Sequence, residues 1–183
     1  MIEIRPLSEL SHQDYLRLVS GYTSLSRYTV QKKESLERTT FTLELQPLEQ
    51  PYHKRWFMIP PELEYFNRNM SDGYSLGAYE DGYLVAIAIA EHRWWNNTLW
   101  VWEFHVEERW RGQGIGHQLM DAVIGRAREA GLRALVVETQ NTNVPAILFY
   151  RKAGFEIEGI DLSYYTNHDT VDGEVAIFMK RKL

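Results

Sequence analysis

Alternating polar and apolar positions predict strands and a helix in the first quarter of the chain. The opening segment IEIRPL alternates as a short strand does, and Ser11 is placed to cap a helix whose apolar face extends to Tyr22. Residues 38–48 alternate again and predict a second strand, which Pro47 weakens because proline cannot donate to a ladder. The chain therefore begins with a strand, a helix and a further strand.

The middle of the chain carries the clearest local signals. Pro60-Pro61 suits the first turn of a short helix, where an amide proton is not needed. Two strand-like runs, YSLGAYE and YLVAIAIAEHRWW, are joined by Asp81-Gly82, a common two-residue hairpin signal. A third strand, LWVWEFHV, extends from Leu99 to Val106. These segments predict neighbouring antiparallel strands.

Helical spacing replaces the alternation after this third strand. Apolar residues recur on one helical face from Ile115 to Ala130, and Gly131 is a suitable stop. A buried strand, a helix from about Pro145 to Gly154, and two closing strands follow. This order predicts an α/β (α+β) fold, a mixed sheet with helices on its faces, in a single domain over residues 1–183. The segment 23–57 has no assigned role.

Composition narrows the range of partners. The formal net charge of −5 provides no basic surface for nucleic acid or an anionic membrane, and it favours a cationic partner. The absence of cysteine excludes disulfides, thiolate metal sites and cysteine nucleophiles, and the histidine spacing predicts no metal site. We see no secretory signal and no apolar run of about 18 residues, so a cytoplasmic location is expected.

Three glycines stand within five positions where the long helix begins, in the segment RGQGIG from Arg111 to Gly116. A dinucleotide fingerprint needs G-x-G-x-x-G and a P-loop ends in Gly-Lys-Ser/Thr, so the spacing fits neither. What remains is a strand, a short loop and a helix start, whose backbone amides and dipole suit a pyrophosphate, with Arg111 as a further donor. A tight turn that only permits close helix packing is the alternative.

Two segments together resemble the Gcn5-related N-acetyltransferases. The first is RGQGIG at the strand-to-helix junction, and the second is NVPAILFYRKAGF, from Asn143 to Phe155. The resemblance implies the acyl-CoA N-acyltransferase fold (GNAT fold), with a mixed, mostly antiparallel sheet of seven or so strands flanked by four or so helices. It also implies acetyl-CoA as the donor and direct attack of an amine on the thioester in a ternary complex.

The segment from Glu138 to Tyr165 is similar to streptothricin acetyltransferases in its pieces ETQ, NVPA and GIDL. Those enzymes modify a cationic antibiotic, so the similarity implies the β-lysine amine of streptothricin as acceptor and a role in antibiotic resistance. Acetyltransferases for protein amino termini or for another small amine remain alternatives, as does a non-catalytic acetyl-CoA-binding regulatory domain. Related acetyltransferases often pair, which allows a homodimer.

The resemblance also assigns roles to individual residues. Tyr150 stands where relatives carry the tyrosine that protonates the departing thiolate, a role that suits a phenol. A tyrosine that only packs one face of its helix is the alternative. The implied cofactor-binding residues are Phe104, His105, Val106, Arg111, Gln113, Gly114, Ile115, Gly116, Asn143 and Tyr150.

An alkylammonium acceptor must lose a proton before it attacks, so a base or a water chain is required. Glu103 is the first candidate, because partial desolvation among bulky neighbours makes a carboxylate a better proton acceptor, and Glu138 is the second. The segment DGE, Asp172 to Glu174, is expected in a solvated hairpin turn, with a contribution to the acceptor site as the alternative. Carboxylates and aromatic faces attract a cation, and the residues expected to bind the acceptor are Glu138, Asp161, Tyr164 and Tyr165.

Overall fold

The computed structural model describes residues 1–56 and 60–183, which fold into two compact units. Phe57, at the end of the segment without an assigned role, lies outside the described residues. The first unit comprises Met1–Ser20, Arg55–Val137 and Lys180–Leu183, and the second comprises Gly21–Lys54 and Glu138–Met179.

Strands and helices alternate along the described residues much as the sequence predicts. The strands are β1 (Ile2–Pro6), β2 (Tyr22–Glu34), β3 (Thr39–Lys54), β4 (Leu76–Glu80), β5 (Tyr83–Arg93), β6 (Thr98–Val106), β7 (Ala134–Gln140), β8 (Glu156–Asp161) and β9 (Ala176–Lys182). The helices are α1 (His12–Leu18), α2 (Pro60–Asn69), α3 (Ile115–Glu129), α4 (Val144–Lys152) and α5 (Asp169–Asp172). The short α5 is an addition to the four helices of the prediction.

Seven strands form one sheet in the order β1-β4-β5-β6-β7-β9-β8, and β2 pairs with β3 in a two-stranded sheet. The pairs β1–β4, β4–β5 and β5–β6 are antiparallel, whereas β6 and β7 are parallel. The turn between β4 and β5 places Asp81 and Gly82 at φ values of 48° and 80°, as a two-residue hairpin requires. The predicted mixed, mostly antiparallel sheet is therefore confirmed.

The core of the first unit fixes β5 and, through it, β6. Strand β5 is buried from Val85 to Ala90, and both α1 and α3 contact it. Burial of each large aliphatic side chain contributes about 1.5 to 3 kcal/mol. Trp56, Leu63, Phe66 and Tyr79 pack against a buried cluster whose members are Leu7, Leu10, Tyr15, Leu18, Val19, Met70, Leu84, Ile87 and Ile89.

Two predictions about helix faces are wrong, and the strand predicted at 38–48 is confirmed but longer than expected. The face of α1 does not extend to Tyr22, because the chain turns at Gly21, which has a φ of 99°, and Tyr22 begins β2. The predicted strand at 38–48 extends to Lys54 and pairs with β2, so most of the segment without an assigned role is a long hairpin. On α3, Ala130 is exposed and lies beyond the end of the helix.

Asn141 joins separate parts of the second unit. Its side-chain Nδ2 donates to the carbonyl of Tyr28 at 2.7 Å, and its Oδ1 accepts from the amide of Val175 at 2.7 Å. Its own amide donates to the Val175 carbonyl, and its carbonyl accepts from the Tyr28 amide, both at 2.9 Å. These buried bonds hold β2 and the approach to β9 beside the end of β7.

Candidate active site

The donor side of the candidate site begins where β6 leaves its parallel partner. The ladder between β6 and β7 runs from Thr98, opposite Ala134, to Val101, opposite Val137. Strand β6 continues to Val106 while paired with β5, and a bulge opposite Ile89 and Ala90 shifts its register. The segment Phe104–Val106 therefore lies beyond the end of this ladder, where an extended ligand arm can add to a strand edge.

Glu103 and His105 lie on one face of β6 and contact each other. Nε2 of His105 lies 2.5 Å from Oε2 of Glu103. The side chain of Glu103 is 22% exposed, and that of His105 is 16% exposed. A carboxylate that orients an imidazole forms a pair able to take up a proton and pass it on. Alternation along a strand accounts for the shared face of residues 103 and 105, and the structure brings their side chains into contact.

Beyond Val106 the chain passes through a 3₁₀ turn, Glu108–Trp110, into the glycine loop and α3. Gly112 and Gly114 have φ values of 76° and 81°, and a Cβ at either position would meet no atom within 4 Å. Backbone conformation, not lack of space, therefore requires glycine here.

The start of α3 is suited to an anion. Gly114 is the N-cap residue and supplies no side-chain cap, and the first turn contains no acidic residue. Helix geometry leaves the amides of a first turn without an acceptor inside the helix, and the dipole adds a partial positive charge there. Ile115 is 3% exposed, so its buried side chain anchors this turn. These features fit a pyrophosphate at the predicted position.

Two side chains of the loop hold its backbone. Nε of Arg111 donates to the carbonyl of Val106 at 2.9 Å, and its NH2 group donates to Oγ of Ser20 at 3.3 Å. Nε2 of Gln113 donates to the carbonyl of Arg109 at 3.0 Å. The contact of the Arg111 side chain with phosphate stays a prediction, as does that of the Gln113 amide.

Asn143 and Tyr150 lie at the two ends of α4 in the second unit. Asn143 is the N-cap, and its Oδ1 accepts from the amide of Ala146 at 3.3 Å. Tyr150 is 7% exposed, and its ring centre lies 5.4 Å from that of Phe149 and 5.5 Å from that of Phe155. The structure gives these residues capping and packing roles, and their cofactor and catalytic roles stay predictions.

Glu138 and Tyr165 come together in the second unit. The hydroxyl of Tyr165 donates to Oε1 of Glu138, and Nε2 of Gln140 donates to that hydroxyl at 3.0 Å. Desolvation of the hydroxyl raises the pKa of Tyr165, and the charge of Glu138 raises it further. The phenol is therefore a neutral donor at pH 7, and two of the four predicted acceptor residues share one hydrogen-bond network.

Glu174 lies in a second such network, which corrects the expectation of a solvated turn. Oε1 of Glu174 accepts from the hydroxyl of Tyr52 at 2.7 Å, and Oε2 accepts from Nζ of Lys54 at 2.6 Å. The Glu174 side chain is 21% exposed. Burial and this hydrogen bond raise the pKa of Tyr52 to about 12. Glu174 therefore already binds a primary ammonium group and a neutral phenol.

Tyr22 connects the surroundings of the two carboxylates. Its hydroxyl lies 2.7 Å from Oγ1 of Thr142, and its ring centre lies 6.1 Å from that of Tyr52. Burial raises the pKa of Tyr22, and the charges of Glu174 and Glu138 contribute to the rise. Both carboxylates therefore act on one tyrosine-rich region, which we call the tyrosine–carboxylate cluster: Tyr22, Tyr52, Glu138, Tyr165 and Glu174.

Asp161 and Tyr164 lie outside these hydrogen bonds. Oδ1 of Asp161 accepts from the amide of Ser163 at 2.9 Å, as in a local turn. The ring of Tyr164 packs edge-on against those of Tyr165 and Phe178, with centroid distances of 5.3 and 5.4 Å. Their contact with an acceptor stays a prediction.

Sequence reasoning missed Tyr22, Tyr52 and Lys54. Alternation along β3 places Tyr52 and Lys54 on one side of the strand, which is the local signal available. That side faces Glu174, which is 120 residues from Lys54 in the sequence. A hydrophobic pattern contains no information about such a distant partner.

Neither a metal site nor a membrane-spanning helix is found in the residues that the structure describes. Within 1–56 and 60–183, no three His, Cys, Asp or Glu side chains are grouped to hold a metal ion. In the same part of the chain, no helix is both long and apolar enough to cross a membrane. The expectation that the site works without a metal stays a prediction.

Comparisons with known sequences identify the family of this chain and several relatives. Residues 37–155 match the Acetyltransferase (GNAT) family. Streptothricin acetyltransferase of Streptomyces lavendulae is 37% identical over 99 residues, which are 54% of this chain and 52% of that protein. Streptothricin acetyltransferase of Escherichia coli is 33% identical over 121 residues, 65% of this chain and 69% of that protein. The match thus spans about half the length of the first relative.

Two solved structures share the fold over nearly the whole chain. Nourseothricin acetyltransferase has a TM-score of 0.72 and 28% identity, with 99% of this chain and 98% of that one covered. An acetyltransferase from Bacillus anthracis, solved in complex with acetyl coenzyme A, has a TM-score of 0.74 and 23% identity, with both chains fully covered (100%). The family match covers well over half of the chain. The chain therefore belongs to the Acetyltransferase (GNAT) family, as its glycine loop and its NVPAILFYRKAGF segment predict.

Proposed function

We propose that this protein transfers the acetyl group of acetyl-CoA to a primary amine of a cationic small molecule, and that this amine is the β-lysine amine of streptothricin. The amine nitrogen attacks the thioester carbon within a ternary complex, the carbon–sulfur bond breaks, and CoA leaves as a thiolate that takes up a proton. The observation that carries the proposal is the start of α3, where a glycine loop in a member of this family presents amides suited to a pyrophosphate.

Most of the residues proposed to bind acetyl-CoA lie at this helix start and on β6. The amides of Gln113, Gly114, Ile115 and Gly116 would bind the pyrophosphate, with Arg111 as a side-chain donor. The backbone of Phe104–Val106, past the last β6–β7 pair, would bind the pantetheine arm, and Asn143 would add a side-chain contact. Bound acetyl-CoA supplies an activated thioester, and the protein supplies orientation and proton transfer.

Tyr150 is the proposed proton donor for the leaving thiolate. A phenol is a weak acid in the ground state, but it stabilises a thiolate as negative charge develops on sulfur. The burial of Tyr150 and its packing against Phe149 and Phe155 support this role, because they restrict the ring to one position.

Glu103, together with His105, is the proposed acceptor of the amine proton. Deprotonation of an alkylammonium at neutral pH costs about 4 to 5 kcal/mol, so a base that passes the proton on favours attack. His105 touches Glu103 and can relay the proton to water. Glu138, the second candidate, accepts a hydrogen bond from the hydroxyl of Tyr165. That phenol is already protonated at pH 7, so it is poorly suited to carry a further proton away from Glu138.

The tyrosine–carboxylate cluster supports a cationic acceptor. Glu138 and Glu174 provide negative charge, and the tyrosine rings provide faces that attract a cation by about 0.5 to 2 kcal/mol each. Lys54 already places a primary ammonium group 2.6 Å from Oε2 of Glu174, so this carboxylate binds the same chemical group that a lysine-like acceptor carries. Asp161 and Tyr164 are proposed as outer contacts of the same acceptor.

The direct test is transfer to streptothricin. We expect mass spectrometry to find one added acetyl group on streptothricin after incubation with the protein and acetyl-CoA, with multiple turnovers. Short peptides with free amino termini should react far more slowly under the same conditions. Faster transfer to the peptides would support the amino-terminal alternative, and binding of acetyl-CoA without transfer to any amine would support a regulatory domain.

The Tyr150→Phe variant tests the leaving-group acid. It keeps the buried ring, so acetyl-CoA binding should be unchanged, while kcat should fall by about 10²- to 10⁴-fold because the proton donor is lost. Steady-state kinetics with both substrates measures this. Tyr79→Phe, on β4, is the matched control and should keep kcat. An unchanged kcat in Tyr150→Phe would contradict the assignment.

The Glu174→Gln variant tests recognition of the cationic acceptor. Loss of a charge-assisted hydrogen bond should weaken binding by about 1.5 to 3 kcal/mol, so KM for streptothricin should rise roughly 10- to 100-fold at an unchanged KM for acetyl-CoA. Glu156→Gln, an exposed position on β8, removes the same charge outside the cluster and should leave both KM values unchanged. Equal effects of the two substitutions would show that only net charge matters.

A further inference from the structure

We propose that Glu107 and Arg17 position the glycine loop for the pyrophosphate of acetyl-CoA. Neither residue belongs to the RGQGIG segment, and Arg17 lies on α1, about 90 positions earlier in the chain. This inference rests on the proposed function, because it concerns the same cofactor. The contacts of Glu107 and Arg17 hold the chain next to a loop whose residues 111–114 are exposed.

Glu107 is a buried carboxylate with four polar contacts. It is 8% exposed, Oε2 accepts from NH1 of Arg17, and Oε1 forms an ion pair with Nε of Arg109 at 2.7 Å. Its amide donates to the carbonyl of Val85 at 2.9 Å, and its carbonyl accepts from the amide of Trp110 at 2.8 Å. The residue between β6 and the 3₁₀ turn is therefore fixed through both its backbone and its side chain.

Arg17 connects this carboxylate to α1 and β5. Its NH2 group donates to Oδ1 of Asp14 and to the carbonyl of Leu84, each at 2.7 Å. Its guanidinium carbon lies 4.2 Å from the ring centre of Tyr83, and that of Arg109 lies 4.8 Å from the same ring. Both arginines that contact Glu107 are thus also held by one aromatic side chain.

Ser20 gives the segment after α1 a second attachment to the loop. Its Oγ accepts from Arg111, which also donates to the carbonyl of Val106. The residues before and after the 3₁₀ turn are therefore both tied to the region around α1. An open surface depression of about 360 Å³ is lined by Arg17, Ser20, Glu107, Glu108 and Arg109.

The loop itself has little packing to fix it. Residues 111–114 are exposed, and Gly112 and Gly114 have no neighbour within 4 Å of a Cβ position. An anion site gains most when its donors are already in place before binding, since ordering them on binding reduces affinity. The polar contacts of Glu107, Arg17 and Ser20 provide that order from outside the loop.

The direction of the effect separates positioning from simple electrostatics. Glu107→Gln removes a negative charge near an anion site, so electrostatics alone predicts tighter binding of acetyl-CoA. Positioning predicts weaker binding, because glutamine keeps one acceptor oxygen and no charge, so Arg17 and Arg109 can no longer both be held by this side chain. Glu108→Gln, the exposed neighbour, removes the same charge without these contacts and is the matched control.

Isothermal titration of acetyl-CoA into the full-length protein tests the inference. We expect Kd to rise roughly tenfold in Glu107→Gln, with a parallel rise in KM for acetyl-CoA and an unchanged KM for the amine. In Glu108→Gln, Kd should stay equal or fall. Arg17→Lys keeps the charge but loses the two-pronged guanidinium, so it should also weaken binding, and it serves if Glu107→Gln fails to fold.

This inference would be overturned if the wild-type protein bound acetyl-CoA and Glu107→Gln bound it equally well or more tightly. The same result with Arg17→Lys applies if Glu107→Gln does not fold. The proposed function would then remain intact. A wild-type protein that does not bind acetyl-CoA would overturn the proposed function and this inference with it.

Discussion

The first unit depends on one constraint. The backbone amides at the start of α3 have no acceptor inside the helix. Such amides require water or an anion, and the left-handed conformations of Gly112 and Gly114 turn the chain from β6 into this helix. The buried strand β5 fixes β6, and the buried side chain of Ile115 fixes the first helical turn. The sheet, the loop and the helix are therefore arranged around one small group of donors.

In the second unit, the proposed acceptor site contains a carboxylate, Glu174, that is already paired with an ammonium group of the protein. Glu174 contacts Lys54 within the protein, and Tyr52 stays a neutral donor because burial raises its pKa. The ammonium group of Lys54 hydrogen-bonds this carboxylate within the protein, so the proposed cationic acceptor would have to compete with it. Under the proposed function, that competition would favour a strongly cationic acceptor over a singly charged amine.

Local rules predicted what local chemistry decides. The Asp81-Gly82 turn, the Ser11 cap and the glycine loop were readable because each depends on a few neighbouring residues. Strand β3 was predicted from its alternation, but β2 and its pairing with β3 were missed, because β2 is mostly solvent-exposed and has no buried stripe. The environment of Glu174 was predicted wrongly because its partners Tyr52 and Lys54 are more than a hundred residues away in sequence.

The proposed function depends on the binding of a cofactor phosphate at the start of α3. The most direct measurement compares the affinities of S-acetyl-4′-phosphopantetheine and S-acetylpantetheine, which differ by one phosphate group. We expect the phosphorylated compound to bind at least tenfold more tightly, with a difference that shrinks as salt is added. Equal affinities of the two compounds at low salt would contradict it.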